Sequence, residues 1–331
     1  MCGTTCRKSS YPIVSLVYFR LLETPLNIAS PRFGTSSWAY EGWQGLVYHR
    51  TYPKSRFSQD TLAEYAAYPG HEAPLFSTVG IDHSFYRPAS AKQFAHYAEQ
   101  VPDTFRFCQK VWEEITIPAY ANLPRYGAKA GKPNPRFLDV GTFRDLVLQP
   151  ALDGLGQTLG PFIFEFQRWG LDPDAFLRQL DQFLGQLPSG PAYAIEVRTP
   201  AILGPRYHDI LRAHAVAHVY NHWTAMPPLS EQHLRLTRTF TAPFTVLRLL
   251  TPLGLAFANA VERYAPYNRI VQPQPRMRQE TVELVKQAAA EGRSAYVLVN
   301  NRSEGCSPLT VQALLEALAI PTDSPLTDSP L

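Results

Sequence analysis

The stretch Phe33–Trp43, FGTSSWAYEGW, decides the fold, and the stretch Tyr296–Gly305, YVLVNNRSEG, repeats its pattern near the other end of the chain. In each, a short apolar run stops abruptly at glycine, serine, asparagine or tryptophan. This pattern is typical of a buried parallel strand that opens onto a loop at its carboxyl end, where barrel enzymes place their active-site residues. The two stretches therefore indicate a parallel sheet with a candidate site at the carboxyl ends of its strands.

Between these two stretches, short β-type runs alternate with longer helical patterns. The predicted strands are Arg32–Ser36, Phe76–Asp82, Phe105–Val111, Pro161–Gln167, Ala192–Val197, Val216–Tyr220, Phe244–Leu249 and Ala295–Asn300. The predicted helices are Asp60–Ala67, Ala91–Glu99, Phe143–Leu155, Pro173–Leu187, Ala201–His214, Leu229–Thr237, Arg276–Glu291 and Pro308–Leu318. About eight strand–helix units predict a single α/β domain with the (β/α)8 architecture of a TIM barrel, with a doubly wound open sheet as the alternative.

Composition limits the class of protein. The 331 residues are 45% hydrophobic and 18% charged, which is enough for one large core, and the formal charge of +3 is too even a balance to indicate a nucleic-acid partner. We expect the barrel to cover residues 32–318, after a poorly ordered tail over residues 1–31. Residues 319–331 repeat the unit Thr-Asp-Ser-Pro-Leu and should be disordered.

The cysteines and the N-terminal segment bear on location. The four cysteines are Cys2, Cys6, Cys108 and Cys306. They are widely scattered, provide no disulfide framework and favour a reducing, cytoplasmic setting. The segment Tyr11–Leu22 is apolar, but Pro12 and Arg20 interrupt it and no small-residue cleavage site follows, so we expect no secretion signal. No run approaches the roughly 18 apolar residues that would cross a bilayer.

Several motifs resemble those of a known family in order and spacing. They are Gly34–Tyr40 (GTSSWAY), Phe85–Arg87 (FYR), Phe105–Phe107 with Lys110, Gly160–Pro161, Glu196–Arg198 (EVR), and Asn300–Asn301 with Gly305 and Pro308. Over residues 32–318 the chain resembles the DUF72 (YecE-like) family. The resemblance implies a TIM-barrel-like fold, in a family whose biochemical activity is not established.

The chain departs from the family pattern at the second, fourth and seventh strands. The fourth strand usually ends Phe-Gln-Leu-Pro-Pro, where this chain has Phe164–Arg168 (FEFQR). Family members carry Val-Glu-Ile-Asn at the second strand, where this chain has Val79–Asp82 (VGID), so a carboxylate is missing at Gly80 and one has appeared at Asp82. The seventh strand usually continues Arg-Leu-His-Gly, whereas this chain has Arg248–Thr251 (RLLT), with Leu250 in place of the histidine. A family reaction that needs that glutamate or histidine is lost in this chain, or is carried out differently.

Strand parity predicts which side chains meet at the mouth of the barrel. Because alternate residues of a strand share a face, Glu196 and Arg198 should point inward, while Ile195 and Val197 face the helices. The same alternation predicts further inward residues, which are Gly80, Asp82 and Ser84 on the second strand, Arg248 on the seventh, and Leu298 and Asn300 on the eighth.

These inward groups can form a site, or Glu196 can merely form an ion pair with Arg198 or Arg248 that closes the barrel. In the functional interpretation, Arg198, Arg248 and Lys110 form a cationic floor for a phosphate or carboxylate. Glu196 or Asp82 is then the general acid or base. The catalytic candidates are Glu196, Asp82 and Lys110. The substrate-binding candidates are Arg198, Arg248, Asn300, Asn301, Ser36, Trp38, Tyr40, Tyr86, Glu165 and His222.

Aromatic and histidine residues carry alternative interpretations. The aromatic candidates for the rim are Trp38, Tyr40, Trp43, Tyr86 and Trp223, which could stack on a ring or pack between barrel and helices. His214, His218 and His222 recur every fourth residue, which on a helix would form a metal-binding face. Because Val216–Tyr220 is predicted as a strand, we expect that the three histidines do not bind one metal ion together. Only His222 remains a candidate site residue. It lies either at the mouth of the barrel, after the sixth strand, or in a loop as an ordinary polar residue.

Three functions remain open. The first is a cofactor-independent barrel enzyme, a hydrolase or isomerase, that acts on a small anionic or sugar-like substrate by acid/base chemistry. The second is a metal-dependent phosphoesterase, which the lack of a histidine-plus-carboxylate cluster at the strand ends disfavours. The third is a catalytically silent ligand-binding barrel. We expect a small-molecule ligand, no cofactor, no membrane and no principal role for nucleic acid.

Overall fold

The computed structural model describes residues 31–70, 73–168 and 171–319 of the chain. Within them, eight parallel strands close into a barrel in chain order. The strands are β1 (Arg32–Thr35), β2 (Thr78–Ile81), β3 (Arg106–Lys110), β4 (Leu159–Phe166), β5 (Tyr193–Val197), β6 (Ala217–His222), β7 (Phe244–Leu249) and β8 (Ser294–Val299). The predicted TIM barrel is confirmed, and the open-sheet alternative is wrong because β1 also pairs with β8.

Helices surround the barrel. They are α1 (Phe57–Asp60), α2 (Leu62–Ala66), α3 (Ala91–Ala98), α4 (Glu113–Thr116), α5 (Val140–Phe143), α6 (Gln149–Leu155), α7 (Pro173–Leu184), α8 (Pro205–Ala213), α9 (Leu229–Arg235), α10 (Phe257–Tyr264), α11 (Pro275–Ala290) and α12 (Ser307–Ala319). The start of α7 shows local control by sequence: Asp172 Oδ1 accepts a hydrogen bond from Ala175 N at 2.8 Å, and Pro173 occupies the first turn. The sequence did not predict α4 and α10; α4, with four residues, is too short for a 3.6-residue period to stand out.

Two apolar layers separate the inside of the barrel from its outer wall. The inner layer consists of Cys108, Ile163, Ala194, Ala217, Val219, Ala242, Val246, Tyr296 and Leu298. The outer layer, between strands and helices, includes Ile195 and Val197. Side chains alternate along a strand, so Glu196 faces inward like Ala194, and Arg248 faces inward like Val246. The predicted parity is therefore confirmed on both strands.

The predicted tails fall almost wholly outside the described residues, which begin at residue 31 and end at residue 319. Of the helices that the structure describes, none is both long and apolar enough to cross a bilayer.

Candidate functional site

A ring of polar side chains lies at the carboxyl end of the barrel, and every strand contributes to it. Its members are Ser36, Asp82, Lys110, Glu165, Glu196, Arg198, Asn221, Arg248 and Asn300. All except Asn221 were candidates from the sequence. The carboxyl ends of parallel strands meet at one rim of the barrel, so residues on the inner faces of the strands and just past their ends are brought together.

Glu165 is the point at which three cations converge. Its Oε2 lies 2.7 Å from Lys110 Nζ, 2.9 Å from Arg198 Nη2 and 2.8 Å from Arg248 Nη1. Its Oε1 accepts a short hydrogen bond from Gln167 Nε2. Both oxygens of Glu165 are therefore committed to groups of the protein itself.

Glu196 and Asp82 complete the network. Glu196 Oε1 accepts a hydrogen bond from Arg198 Nε at 2.8 Å, and its Oε2 accepts a short one from Arg248 Nη1. Asp82 Oδ1 lies 3.1 Å from Arg248 Nη2. Three carboxylates thus face three cations, and the cations expected to form a floor for an anion are already paired within the protein.

The network keeps its charges although it is buried. Burial alone would raise the pKa of Glu165, but Arg198, Lys110 and Arg248 outweigh it and hold that pKa below its usual value. Burial alone would lower the pKa of Arg248, but Glu196, Asp82 and Glu165 outweigh it and raise that pKa. Both groups therefore stay ionised at neutral pH.

Access to the carboxylates is unequal. The side chain of Asp82 is 33% exposed, whereas those of Glu165 and Glu196 are 3% and 0% exposed. The difference arises because Asp82 follows the end of β2, while both glutamates lie within their strands. Asp82 is the carboxylate of this network that a molecule at the mouth can reach.

Three atoms of the ring have no hydrogen-bond partner within the described residues: Ser36 Oγ, Asn221 Oδ1 and Arg248 Nε. The orientation of the Asn221 amide is fixed, because its Nδ2 donates to the carbonyl oxygens of Val197 and Val219 at 3.1 and 3.4 Å. Asn221 also pairs in register with Arg248. A free acceptor and a free donor therefore lie on neighbouring residues, an arrangement suited to a hydroxyl group.

Most of the aromatic candidates do not line the mouth. Trp38 is buried against Tyr97, with ring centroids 5.1 Å apart, and its Nε1 donates to Ser58 O at 2.9 Å, so its predicted role at the rim is wrong. Tyr86 is exposed beside Phe85. Trp38 therefore belongs to the core, whereas Tyr86 adjoins the charged network through Phe85, whose ring lies 3.8 Å from Lys110 Nζ.

Two other aromatic residues lie closer to the charges. The Arg198 guanidinium lies 4.7 Å from the centre of the Trp223 ring, which supports it from one side. Tyr40 packs against Trp43 and Tyr267, with centroid distances of 5.0 and 5.9 Å. Burial raises the pKa of Tyr40 to about 12, although the nearby charge of Arg302 opposes the rise.

The paired asparagines after β8 have local structural roles. Asn301 Oδ1 accepts hydrogen bonds from Trp43 Nε1 at 3.2 Å and from the N and Oγ of Ser307 at 2.9 and 2.8 Å. Asn300 Oδ1 accepts from Arg302 N at 3.0 Å and caps the short helix Asn301–Ser303. Asn301 therefore links the start of α12 to the loop after β1 through hydrogen bonds.

His222 does not face the mouth. It is the last residue of β6, which extends two residues beyond the predicted Tyr220, and it pairs in register with Leu249 of the outer layer. The predicted placement at the mouth is wrong because alternation places Asn221, not His222, on the inner face. Burial lowers the pKa of His222 to about 4, so it is neutral at pH 7.

Gly80 occupies a position where two strands approach closely. A Cβ at Gly80 would lie 2.6 Å from the carbonyl oxygen of Ser36. No side chain fits there unless the backbone shifts, so the glutamate of the family pattern has no room in this chain. Leu250, at the position of the family's histidine, is buried, and its N donates to His222 O at 3.0 Å.

Sequence reasoning missed two residues of the mouth, Asn221 and Arg302. Alternation from Val219 would have found Asn221. Arg302 lies on the short helix after β8, with its guanidinium 4.4 Å from the centre of the Phe257 ring. No sequence pattern marks it, because its position depends on a loop and on a helix that the sequence did not predict.

Comparison with known proteins identifies the family. Residues 32–330 match the family described as protein of unknown function DUF72. A DUF72 family protein from Enterococcus faecalis V583 has a similar structure, with 16% identity and a TM-score of 0.59 over 89% of this chain and 97% of that one. One from Thermotoga maritima MSB8 has 17% identity and a TM-score of 0.57 over 87% and 98%. No curated protein matches. The chain therefore belongs to the DUF72 family.

Proposed function

We propose that the chain is a cofactor-independent barrel enzyme, of the hydrolase or isomerase type, that acts by acid/base chemistry on a small anionic or sugar-like substrate. The proposal rests above all on Asp82, a reachable carboxylate held 3.1 Å from Arg248 Nη2 at the rim where barrel enzymes place catalytic groups. The unpaired polar atoms of Ser36, Asn221 and Arg248, which are buried in the same ring, give the mouth a polar lining.

Asp82 is the general acid or base of this proposal. Its Oδ1 is oriented by Arg248, and no described residue donates a hydrogen bond to its Oδ2. That oxygen is free to take a proton from a substrate or to return one. Glu196 has both oxygens paired and is fully buried, so its role is to position Arg248.

Lys110 and the buried part of the network supply a fixed electrostatic environment. Lys110 Nζ is held between Glu165 and the face of Phe85, 3.8 Å from the ring centre. Charges already oriented by the fold need no rearrangement when charge develops on a substrate, which is the condition for electrostatic stabilisation of a transition state.

A catalytically silent ligand-binding barrel is the main alternative, and the crowded backbone at Gly80 favours it because the family's glutamate cannot be accommodated there. A metal-dependent phosphoesterase has less support. Within the part of the chain that the structure describes, no group of three or more histidine, cysteine, aspartate or glutamate residues could hold a metal ion.

We also propose a cytoplasmic setting for this activity. Cys108 and Cys306 are buried free thiols. Burial raises the pKa of Cys108 to about 12 and that of Cys306 to about 11, so both stay protonated at neutral pH. Unpaired thiols of this kind are typical of proteins from reducing compartments.

The experiment is a turnover screen by proton NMR in deuterated water, with sugars, sugar phosphates and small carboxylates as substrates. An isomerase exchanges a carbon-bound proton for deuterium, and a hydrolase gives new product signals. We expect Asp82→Asn to lower the kcat of any substrate found by about 100-fold or more. Asp174→Asn, which alters an exposed ion pair with Arg206, should leave kcat unchanged.

The outcomes separate the alternatives. Binding without turnover by the wild type would favour the silent barrel. Turnover that survives Asp82→Asn would reject Asp82 as the acid or base. Turnover that is lost on chelation and restored by a divalent metal would favour the phosphoesterase.

A further inference from the structure

Arg302 is a cation at the mouth that has no ion-pair partner in the ranges that the structure describes. Its Nε is buried and donates no hydrogen bond to a described residue. Its backbone is fixed by the bond from its N to Asn300 Oδ1, at 3.0 Å. Arg302 therefore differs from Lys110 and Arg198, whose charges are neutralised by carboxylates.

Phe257 holds the Arg302 guanidinium from one face. The exposed ring of Phe257 is 4.4 Å from the guanidinium carbon. Stacking on an aromatic face leaves the edge of a guanidinium unobstructed, and because Nε of Arg302 is buried, the two Nη groups are the donors open to a ligand. The side chain is thus oriented, but its hydrogen-bonding capacity is unused.

Arg302 lies on the same side of the mouth as the proposed acid or base. It follows β8, which pairs with β1, and Asp82 follows β2, which also pairs with β1. Tyr40 lies in the loop after β1, the strand between β8 and β2. Loops after the last strands of a barrel are also a frequent location for phosphate sites in this fold.

We propose that Arg302 binds an anionic group of the substrate, a phosphate or a carboxylate, with Tyr40 as a second donor. This inference rests on the proposed function and names the group that its substrate carries. An anion at Lys110, Arg198 or Arg248 would have to displace a carboxylate of the protein, whereas at Arg302 it displaces none. The planar guanidinium of Arg302 can bind either anion through two parallel hydrogen bonds.

Tyr40 fits the role of second donor. Its hydroxyl makes no hydrogen bond to a described residue, and its ring is fixed by Trp43 and Tyr267. Because burial raises its pKa to about 12, the hydroxyl keeps its proton at neutral pH and can donate it in a hydrogen bond.

The test is a titration of inorganic phosphate, and separately of acetate, followed by thermal shift and calorimetry on the full chain. We expect saturable binding of at least one probe to the wild type, and binding about 10- to 100-fold weaker to Arg302→Gln, as for the loss of a charged hydrogen bond. Arg302→Lys should retain part of the affinity, because it keeps the positive charge but loses the two parallel N–H donors of the guanidinium. Arg206→Gln, at an exposed ion pair, is the control and should bind like the wild type.

Unliganded melting temperatures establish that each variant folds. Equal affinity of the wild type and Arg302→Gln for the bound probe would overturn the proposal, and so would the absence of saturable binding of either probe to the wild type. Binding that is lost equally in Arg206→Gln would indicate a diffuse charge effect and would also overturn it.

Asp82→Asn separates this inference from the proposed function. It should lower kcat by about 100-fold or more but bind phosphate at least as well as the wild type, because it removes a negative charge from the same side of the mouth. If Arg302 governs phosphate binding and no substrate is turned over, the enzyme proposal fails and the anion site stands. If turnover needs Asp82 but Arg302→Gln changes neither KM nor phosphate binding, the anion site fails and the enzyme proposal stands.

Discussion

The two sides of the barrel mouth use similar residues in opposite ways. The paired side consists of Lys110, Glu165, Glu196 and Arg198, at the ends of β3, β4 and β5. The open side consists of Ser36, Tyr40, Asp82 and Arg302, after β1, β2 and β8. Side chains of the paired side form ion pairs with one another, whereas those of the open side keep unpaired donors and acceptors. The comparison teaches that, at this mouth, a charged residue can bind a ligand directly only where the fold leaves one of its polar atoms unpaired.

The largest expected effect comes from breaking the paired side. Glu165→Gln removes one carboxylate and leaves Lys110, Arg198 and Arg248 with excess buried positive charge. Removal of one member of a buried ion pair costs about 3–5 kcal/mol, and we expect the free energy of unfolding to fall by this amount in urea denaturation. Asp174→Asn is the matched control and should change stability little, because its ion pair is exposed. A similarly small loss for Glu165→Gln would mean that the paired side does not stabilise the barrel.

The fold and the inward direction of the charged residues could be predicted from sequence because both depend on local alternation. A period of two along β5 determines that Glu196 faces inward, whatever the rest of the chain does. The sequence offered the pairing of Glu196 with Arg198 or Arg248 as one of two interpretations. It could not decide between them, because the choice depends on where Glu165 and Arg248 lie in three dimensions. Trp38 shows the same limit: its neighbour Tyr97 is distant in sequence, so a rim position and a core position give the same local pattern.

The next effect concerns His222, which lies on the outer wall and belongs to neither side. Its pKa of about 4 in the folded protein is below the ordinary value of about 6.5 for an unfolded chain. The unfolded state therefore binds the proton first on acidification, and stability is lost as the pH falls from about 6.5 to about 4. Between pH 7 and pH 4.5 we expect His222 to account for a loss of about 2–3 kcal/mol.

Urea denaturation at the two pH values measures this effect. His222→Gln, which cannot take up a proton, should lose less stability on acidification than the wild type by that amount, while phosphate binding at pH 7 stays unchanged. If the wild type and His222→Gln lost equal stability, the histidine would not be buried in its neutral form. If phosphate binding fell, His222 would belong to the mouth after all.

Gly80 tests why the open side lacks the glutamate of the family pattern. A Cβ there would lie 2.6 Å from Ser36 O and 3.2 Å from Ser36 C, and both are backbone atoms that cannot turn aside. We expect Gly80→Ala to lower the free energy of unfolding by about 1–3 kcal/mol, as for overpacking of a core. Gly204→Ala is the control, because a Cβ there meets no atom within 4 Å. Equal stability of the two variants would leave the missing glutamate without a steric explanation.

The smallest expected effect is at Ser36. Removal of its hydroxyl should lower the free energy of unfolding if Ser36 behaves like the paired side, and should not lower it if Ser36 behaves like the open side. The hydroxyl is buried without a hydrogen-bond partner among the described residues, and an unsatisfied buried hydroxyl costs free energy in the folded state. Ser36→Ala should therefore leave the free energy of unfolding unchanged or raise it by up to about 1 kcal/mol, and should weaken binding of the substrate that the screen identifies. A loss of stability in urea would show instead that the hydroxyl is satisfied in the folded protein, and Ser36 would then belong with the residues that hold the barrel together.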